Sequence, residues 1–233
     1  MSKKISDTIR NRIEDAGDRY WASDNISHHI IDGEQELLID EITEGFSSVL
    51  ESLLIDTTND PNSQDTPRRL AKMYINEIMV GRYTAKPAVT AFPNDDPSTR
   101  YGGMIVTRAE ITSMCSHHHQ PVRGVAYIGI LPSVRVIGLS KYARIAQHCA
   151  RRGTLQEELT KMIADEIQEA TQSPDLAVYI QAEHGCMTNR GVQACSSLTQ
   201  TTELRGQFFN PSVKDEFFND VKMQQQFAKS VTM

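Results

Sequence analysis

Cys115-Ser116-His117-His118-His119 packs one thiol and three imidazoles into five consecutive positions, and a second island, His184-Gly185-Cys186, follows far downstream. Thiolate and imidazole are the ligand types that zinc prefers, and two or three of them brought together by folding can hold the ion. Cys115, His118 and Cys186 would leave a fourth position open. An open position marks a catalytic rather than a structural zinc, because a fully ligated ion has no place for water or substrate. The spacing is not a finger-type CxxC…CxxC framework, and by itself it fits ordinary buried cysteines and histidines equally well. In an extended chain Cys115 and His117 would share a face, whereas Cys115 and His118 can converge only if the backbone turns. Pro121, soon after, suits such a break.

The elements that must position these groups begin with the size of the chain. At 233 residues it suits one large domain, or one domain with an extension, with enough length to bury a proper core. The 24 basic and 30 acidic residues leave a net charge of −6, which argues against a general nucleic-acid or anionic-membrane surface. Any anionic ligand must therefore be held by a local basic cluster. Four cysteines, with no secretory leader pattern, point to a reducing compartment, the cytoplasm, and no disulfides are expected. The longest apolar run, around residues 125–131, is far short of the roughly 20 residues that span a bilayer. The expectation is a soluble protein with no membrane or nucleic-acid partner.

Ile5, Ile9 and Ile13 recur at intervals of four and predict an amphipathic helix over residues 5–20. Residues 21–32 lack periodicity. The pair His28-His29 there could suggest metal, but no Cys or carboxylate cluster accompanies it in sequence, and a solvated loop is the favoured reading. Leu37, Leu38, Ile42, Phe46, Val49, Leu50 and Leu53 form the stripe of a long core-facing helix over residues 33–55. Asp65-Thr66-Pro67 is a helix start, with a capping side chain followed by proline, and Gly81 is the expected stop. Arg69 and Lys72 share a face of that helix, which suits an anion clamp but equally a solvated basic edge.

Pro87, Pro93 and Pro97 make residues 85–103 a linker between a helical N-terminal region (1–84) and a second part (104–233). In that second part, residues 104–114 and 124–131 read as strands flanking the cysteine–histidine stretch. Ser140 opens a helix that Gly153 closes. Thr154-Leu155-Gln156-Glu157 fits a capping box, with Glu157 reaching back to the N–H of Thr154, at the start of a second helix ending before Pro174. Residues 176–182 and the Thr-rich residues 198–204 read as further strands. A final amphipathic helix runs from Pro211 with Val213, Phe217, Phe218 and Val221 as its apolar face. Strand, strand, helix, helix, strand, strand cannot be a doubly wound parallel sheet. The fold class expected is α+β, a four-stranded antiparallel sheet with helices on one face.

Taken together, Asp65-Thr66-Pro67-x-Arg69 with Lys72-Met73-Tyr74, Cys115-x-His117-His118, Gly138-Leu139-Ser140-Lys141-x-x-Arg144-Ile145, Gln156-Glu157-x-Leu159-Thr160 and His184-x-Cys186-x-x-x-Arg190-Gly191-Val192 resemble GTP cyclohydrolase I. The motifs stand in that family's order and spacing from Asp65 to about Phe208. The resemblance implies the tunnelling fold, in which four-stranded antiparallel sheets from several subunits join into a barrel, commonly as a homodecamer. It implies hydrolytic opening of the guanine imidazole ring of GTP, with carbon 8 leaving as formate and the remainder reclosing as 7,8-dihydroneopterin triphosphate. It also implies one Zn2+ held by Cys115, His118 and Cys186, with His117, His184 and Gln156 beside it and Glu157 recognising guanine. Ser140, Lys141, Arg144 and Arg190, with Arg69 and Lys72 from a neighbouring subunit, resemble the triphosphate pocket.

The chain departs from the family pattern at Ser116, where glutamate is usual, and at His119, which replaces an apolar residue. Gly153-Thr154 stands where a proline or polar residue is frequent, and Arg205 lies in a stretch usually richer in glycine. None removes a presumed ligand. The rival reading is a non-catalytic or repurposed member of the same fold that binds a purine or pterin around a structural zinc.

Overall fold

The computed structural model describes residues 4–231, which form two compact units. One comprises residues up to Ala85 together with Arg151–Gly153, and the other Lys86–Ala150 with the chain from Thr154 onward.

The first unit is helical. Helix α1 (Ile5–Asp15) buries Ile9 and Ile13 against Ile26 and against Leu38 of α2 (Glu34–Ser52). It stops short of the residue 20 expected from periodicity because Gly17, at φ +72°, closes it in a Schellman motif. There the Gly17 N–H donates to Glu14 O and the Asp18 N–H to Ile13 O. Ile39 of α2 packs with Ala71 of α3 (Thr66–Met73) and with Ile75 in the π-helical turn that continues it to Ile78. Full burial of each such isoleucine contributes about 1.5–3 kcal/mol. Asp65 precedes α3 without a capping side-chain bond. Gly81 does not end a helix but lies inside the short α4 (Val80–Tyr83), where Asn25 Nδ2 donates to its carbonyl. Next to it the buried Arg82 donates to the carbonyls of Tyr20, Trp21, Ala22 and Asp24, and so orders a stretch that lacks secondary structure of its own.

In the second unit, strand β1 (Ala91–Pro93), inside the stretch that reads as a linker, is followed by β2 (Ile105–Met114) and β3 (Pro121–Ile130). Next come β4 (Arg135–Ile137), α5 (Leu139–Ala150), α6 (Gln156–Thr171), β5 (Leu176–His184), α7 (Gly185–Thr188), β6 (Thr199–Leu204) and α8 (Pro211–Val231). β1 and β4 pair as a small antiparallel ribbon. The main sheet is antiparallel with order β2-β3-β5-β6, built from the four stretches that read as strands in the sequence.

Helices cover both faces of that sheet, not one. Ala126, Ile128 and Ile130 of β3, with Val178, Ile180 and Ala182 of β5, pack on Tyr142, Ile145 and Cys149 of α5 and Leu159, Ile163 and Ile167 of α6. The intervening Tyr127, Ala177 and Tyr179 point the other way and pack with Phe217 and Val221 of α8. Residues 176–180 are all buried, which is possible only for a strand covered on both sides. The capping box is also absent. Leu155, not Thr154, precedes the first turn of α6, and Thr154 Oγ1 donates to Glu158 Oε2 at 2.7 Å, leaving Glu157 exposed.

Candidate metal centre and its surroundings

The β2–β3 hairpin fixes the first half of the site. Met114 pairs with Pro121, so residues 115–120 must reverse the chain. The loop is closed by Cys115 N–H donating to Gln120 O and His119 N–H to Cys115 O, each at 2.9 Å. His119 takes φ +50°, a left-handed conformation that only a few per cent of non-glycine residues adopt. This is the turn that convergence of Cys115 and His118 requires. Cys115 is buried at the strand end, and His117 and His118 are exposed.

Antiparallel register supplies the second half. Ser113 lies opposite Val122, and Val122 opposite His184, so the end of β5 falls beside the hairpin loop. Gly185 then lets the chain turn close to β3: a Cβ there would stand 3.0 Å from Pro121 O and 3.1 Å from Pro121 Cδ, a contact that only a small shift of the neighbouring strand would relieve. The next residue, Cys186, thereby joins Cys115 and His118, and the donor atoms of all three lie within 4.8 Å of one another. Burial pushes the Cys186 thiol above its ordinary pKa, and the adjacent Cys115 pushes it the same way. Two sulfurs and an imidazole nitrogen, one buried, one half-buried and one exposed, form a donor set that suits zinc with one side left to solvent.

Two residues before Cys186, His184 enters a polar network. His184 Nε2 is 2.7 Å from Oε1 of the buried Gln156. The amide Nε2 of Gln156 donates to Thr201 Oγ1 at 3.0 Å and to Thr199 O at 3.2 Å. Thr201 in turn is 2.6 Å from Thr160 Oγ1. With the amide so oriented, Oε1 must accept from an Nε2–H, and the lone pair of His184 is on Nδ1. Burial lowers the pKa of His184, opposed by the nearby Glu157 carboxylate. Gln156 thus touches His184 rather than standing as an isolated reactive group. Of the two threonines that hold it, Thr160 stands in the Gln156-Glu157-x-Leu159-Thr160 motif without an assigned role, and Thr201 is not among the residues singled out by sequence. The signals for their shared duty are the i, i+4 spacing of Gln156 and Thr160 and the Thr-rich β6.

The remaining candidates are surface groups. Glu157 is exposed on the first turn of α6, and Arg190 is exposed just after α7. Ser140 and Arg144 are exposed on α5, and Lys141 donates from Nζ to Ala88 O at 2.8 Å. Arg69 and Lys72 are exposed on α3 of the first unit, with Arg69 3.4 Å from Asp65. Among the departures, Arg205 serves structure: it donates to Asp165 and Gln168 at 2.6 Å each and to Glu203 at 3.1 Å. No helix among the described residues is long and apolar enough to cross a membrane.

A family model described as GTP cyclohydrolase I matches residues 42–222 of this chain. GTP cyclohydrolase 1 of Flavobacterium johnsoniae is 36% identical over 220 residues, which cover 92% of this chain and 97% of that protein. GTP cyclohydrolase 1 of Aeromonas salmonicida is 39% identical over 178 residues, 75% of this chain and 80% of that one. For the Aeromonas hydrophila protein of the same name the figures are 37% over 195 residues, 82% and 87%.

Proposed function

The chain belongs to the GTP cyclohydrolase I family of enzymes, and on that premise we propose that it opens the guanine imidazole ring of GTP by hydrolysis, with zinc as cofactor. Carbon 8 is released as formate and the remainder becomes 7,8-dihydroneopterin triphosphate. The observation that carries the reading is the convergence of Cys115, His118 and Cys186 beside the His184–Gln156 pair.

Cys115, His118 and Cys186 would hold the zinc ion. Carbon 8 is a poor electrophile, and a zinc ion with an open position supplies Lewis acidity and a water that ionises near pH 7. Ring opening and reclosure also need protons moved to and from nitrogens and carbons. His184, whose pKa burial lowers and which presents Nδ1, and the exposed His117 are suited to that work. Glu157, free of any capping duty, accepts N–H bonds from the guanine edge, and such charge-assisted bonds are stronger than neutral ones. Ser140, Lys141 and Arg144 in the first turns of α5, with Arg190, Arg69 and Lys72, receive the triphosphate, helped by the backbone N–H groups of the helix start.

The assembly in this reading is the tunnelling fold, a barrel of joined sheets in a homodecamer, with residues 104–233 as catalytic domain, 1–84 as helical region and 85–103 as linker. Its support is the sheet itself. β2 and β6 form its outer edges and, among the described residues, pair with no further strand on those sides. Such edges invite another chain. The enzyme acts in the cytoplasm. The deciding experiment incubates the zinc-loaded protein with GTP and measures formate and, after oxidation, a fluorescent pterin. Cys186→Ser should lose metal and turnover together, whereas the exposed Cys195→Ser should lose neither. Full metal content without any product would favour a structural zinc in a binding protein instead.

A further inference from the structure

His28 and His29 lie outside the proposed cyclohydrolase chemistry, yet the fold builds a donor cluster around them. We propose that Asp18, His28 and His29 form a second divalent transition-metal site, of zinc type, in the N-terminal unit. His28 Nε2 and His29 Nε2 lie 3.2 and 2.8 Å from the same oxygen, Asp18 Oδ2. One donor atom from each of the three residues falls within 4.8 Å of the other two. Two imidazole nitrogens and a carboxylate oxygen are a set that zinc and its neighbours in the first transition row accept, with water completing the shell.

Each ligand is placed by a separate structural device. The Schellman closure of α1 sets Asp18 immediately after Gly17. A 3-10 turn over Ser27–His29 sets the two histidines, with the His29 N–H donating to Ile26 O. His29 is 5% exposed, and its carbonyl accepts from Arg12 Nη1, which also donates to Glu34 Oε2. The imidazoles of adjacent residues then stand with ring centroids 3.9 Å apart and both tips on one carboxylate oxygen. A single Asp–His hydrogen bond would need only one of them. A cation shared by both nitrogens and the carboxylate accounts for the convergence of all three. Occupied, the site would pin the end of α1 to the turn that precedes α2.

The test uses the full-length protein, stripped of metal with a chelator and titrated with Co2+. The wild-type chain should take up two equivalents. One should show the intense sulfur-to-cobalt absorption of thiolate ligation, and the other only weak bands of nitrogen and oxygen ligation. His28→Ala and Asp18→Asn change side chains that are 61% and 49% exposed, so both should fold. Each should keep the thiolate-linked equivalent and GTP turnover while affinity at the other falls at least tenfold. Conversely, Cys115→Ser/Cys186→Ser should lose the thiolate absorption and keep the nitrogen–oxygen equivalent. That contrast separates failure of this site from failure of the cyclohydrolase reading. Uptake of one equivalent by the wild-type chain, or two equivalents unaffected by both His28→Ala and Asp18→Asn, would overturn the proposal.

Discussion

His184 donates from Nε2 to Oε1 of Gln156 across 2.7 Å, and Gln156 is itself anchored through Thr201 to the edge strand β6. This bond fixes the imidazole tautomer and directs Nδ1 away from the amide. Gln156→Ala should leave the fold intact and lower kcat by about 10–100-fold, part of the 10²–10⁴ that a positioned acid or base supplies. Gln156→Glu restores an acceptor but brings a negative charge, which favours the imidazolium. Its acid limb of the pH–rate profile should therefore move to higher pH, a shift that a purely structural role would not produce. Full kcat in Gln156→Ala would show that the orientation of His184 is immaterial to catalysis.

Glu157 separates recognition from helix capping. Its carboxylate is exposed, and the bond that a capping box would require is replaced by the one between Thr154 and Glu158. Glu157→Gln should thus leave stability within about 0.5 kcal/mol of wild type, as for surface changes away from special features. Turnover of GTP should collapse. Thermal melting and a steady-state assay on the same preparation check both halves, and a large drop in melting temperature with normal turnover would reverse the assignment.

The main sheet and its helices were legible because alternation and helical periodicity act locally. The uninterrupted apolar run of β5 also carried the information that both faces are covered, and reading the helices onto one face overlooked it. Where long-range contacts decide, the sequence was mute. Gln156 and Thr201 lie on α6 and β6, and threonine is too common a strand residue to announce a hydrogen-bonding duty. His28-His29 read as a solvated loop because the carboxylate they meet, Asp18, comes from a helix-closing turn rather than from their own neighbourhood. The cysteine–histidine motifs fared better, since register and one hairpin loop suffice to unite them.

Tyr142 offers a test of the core at high pH. It is 1% exposed on the face of α5 that packs on the main sheet, and burial pushes its pKa from 10 up to about 12. Between those values the folded chain retains a proton that the unfolded chain has lost, so stability falls as pH rises. The loss is about 2–3 kcal/mol over the window, at 1.36 kcal/mol per unit. Denaturant unfolding of Tyr142→Phe should be less sensitive to pH over the same range by that amount. Parallel curves for the two proteins would mean that the hydroxyl ionises without cost in the folded state.

Arg69 and Lys72 sit on α3, in a different compact unit from the cysteines, and in the proposed assembly they serve the site of a neighbouring chain. Arg69 is exposed and pairs only loosely with Asp65, at 3.4 Å, so Arg69→Ala should cost little stability, as for most surface ion pairs. It should nonetheless cripple turnover by removing a contact to the triphosphate. Cys186→Ser cripples it separately by removing a metal ligand. When the two variants are unfolded, mixed in equal amounts and reassembled, a site that draws Arg69 from one chain and Cys186 from the next is intact whenever both happen to be wild type. Random assembly makes that about one site in four, so roughly a quarter of wild-type activity should return in a symmetric oligomer. A site built within a single chain gives no intact combination, because every chain in the mixture carries one lesion. Mass analysis that verifies mixed oligomers, combined with no recovered turnover, would therefore rule out sharing and place Arg69 and Cys186 in the service of the same subunit.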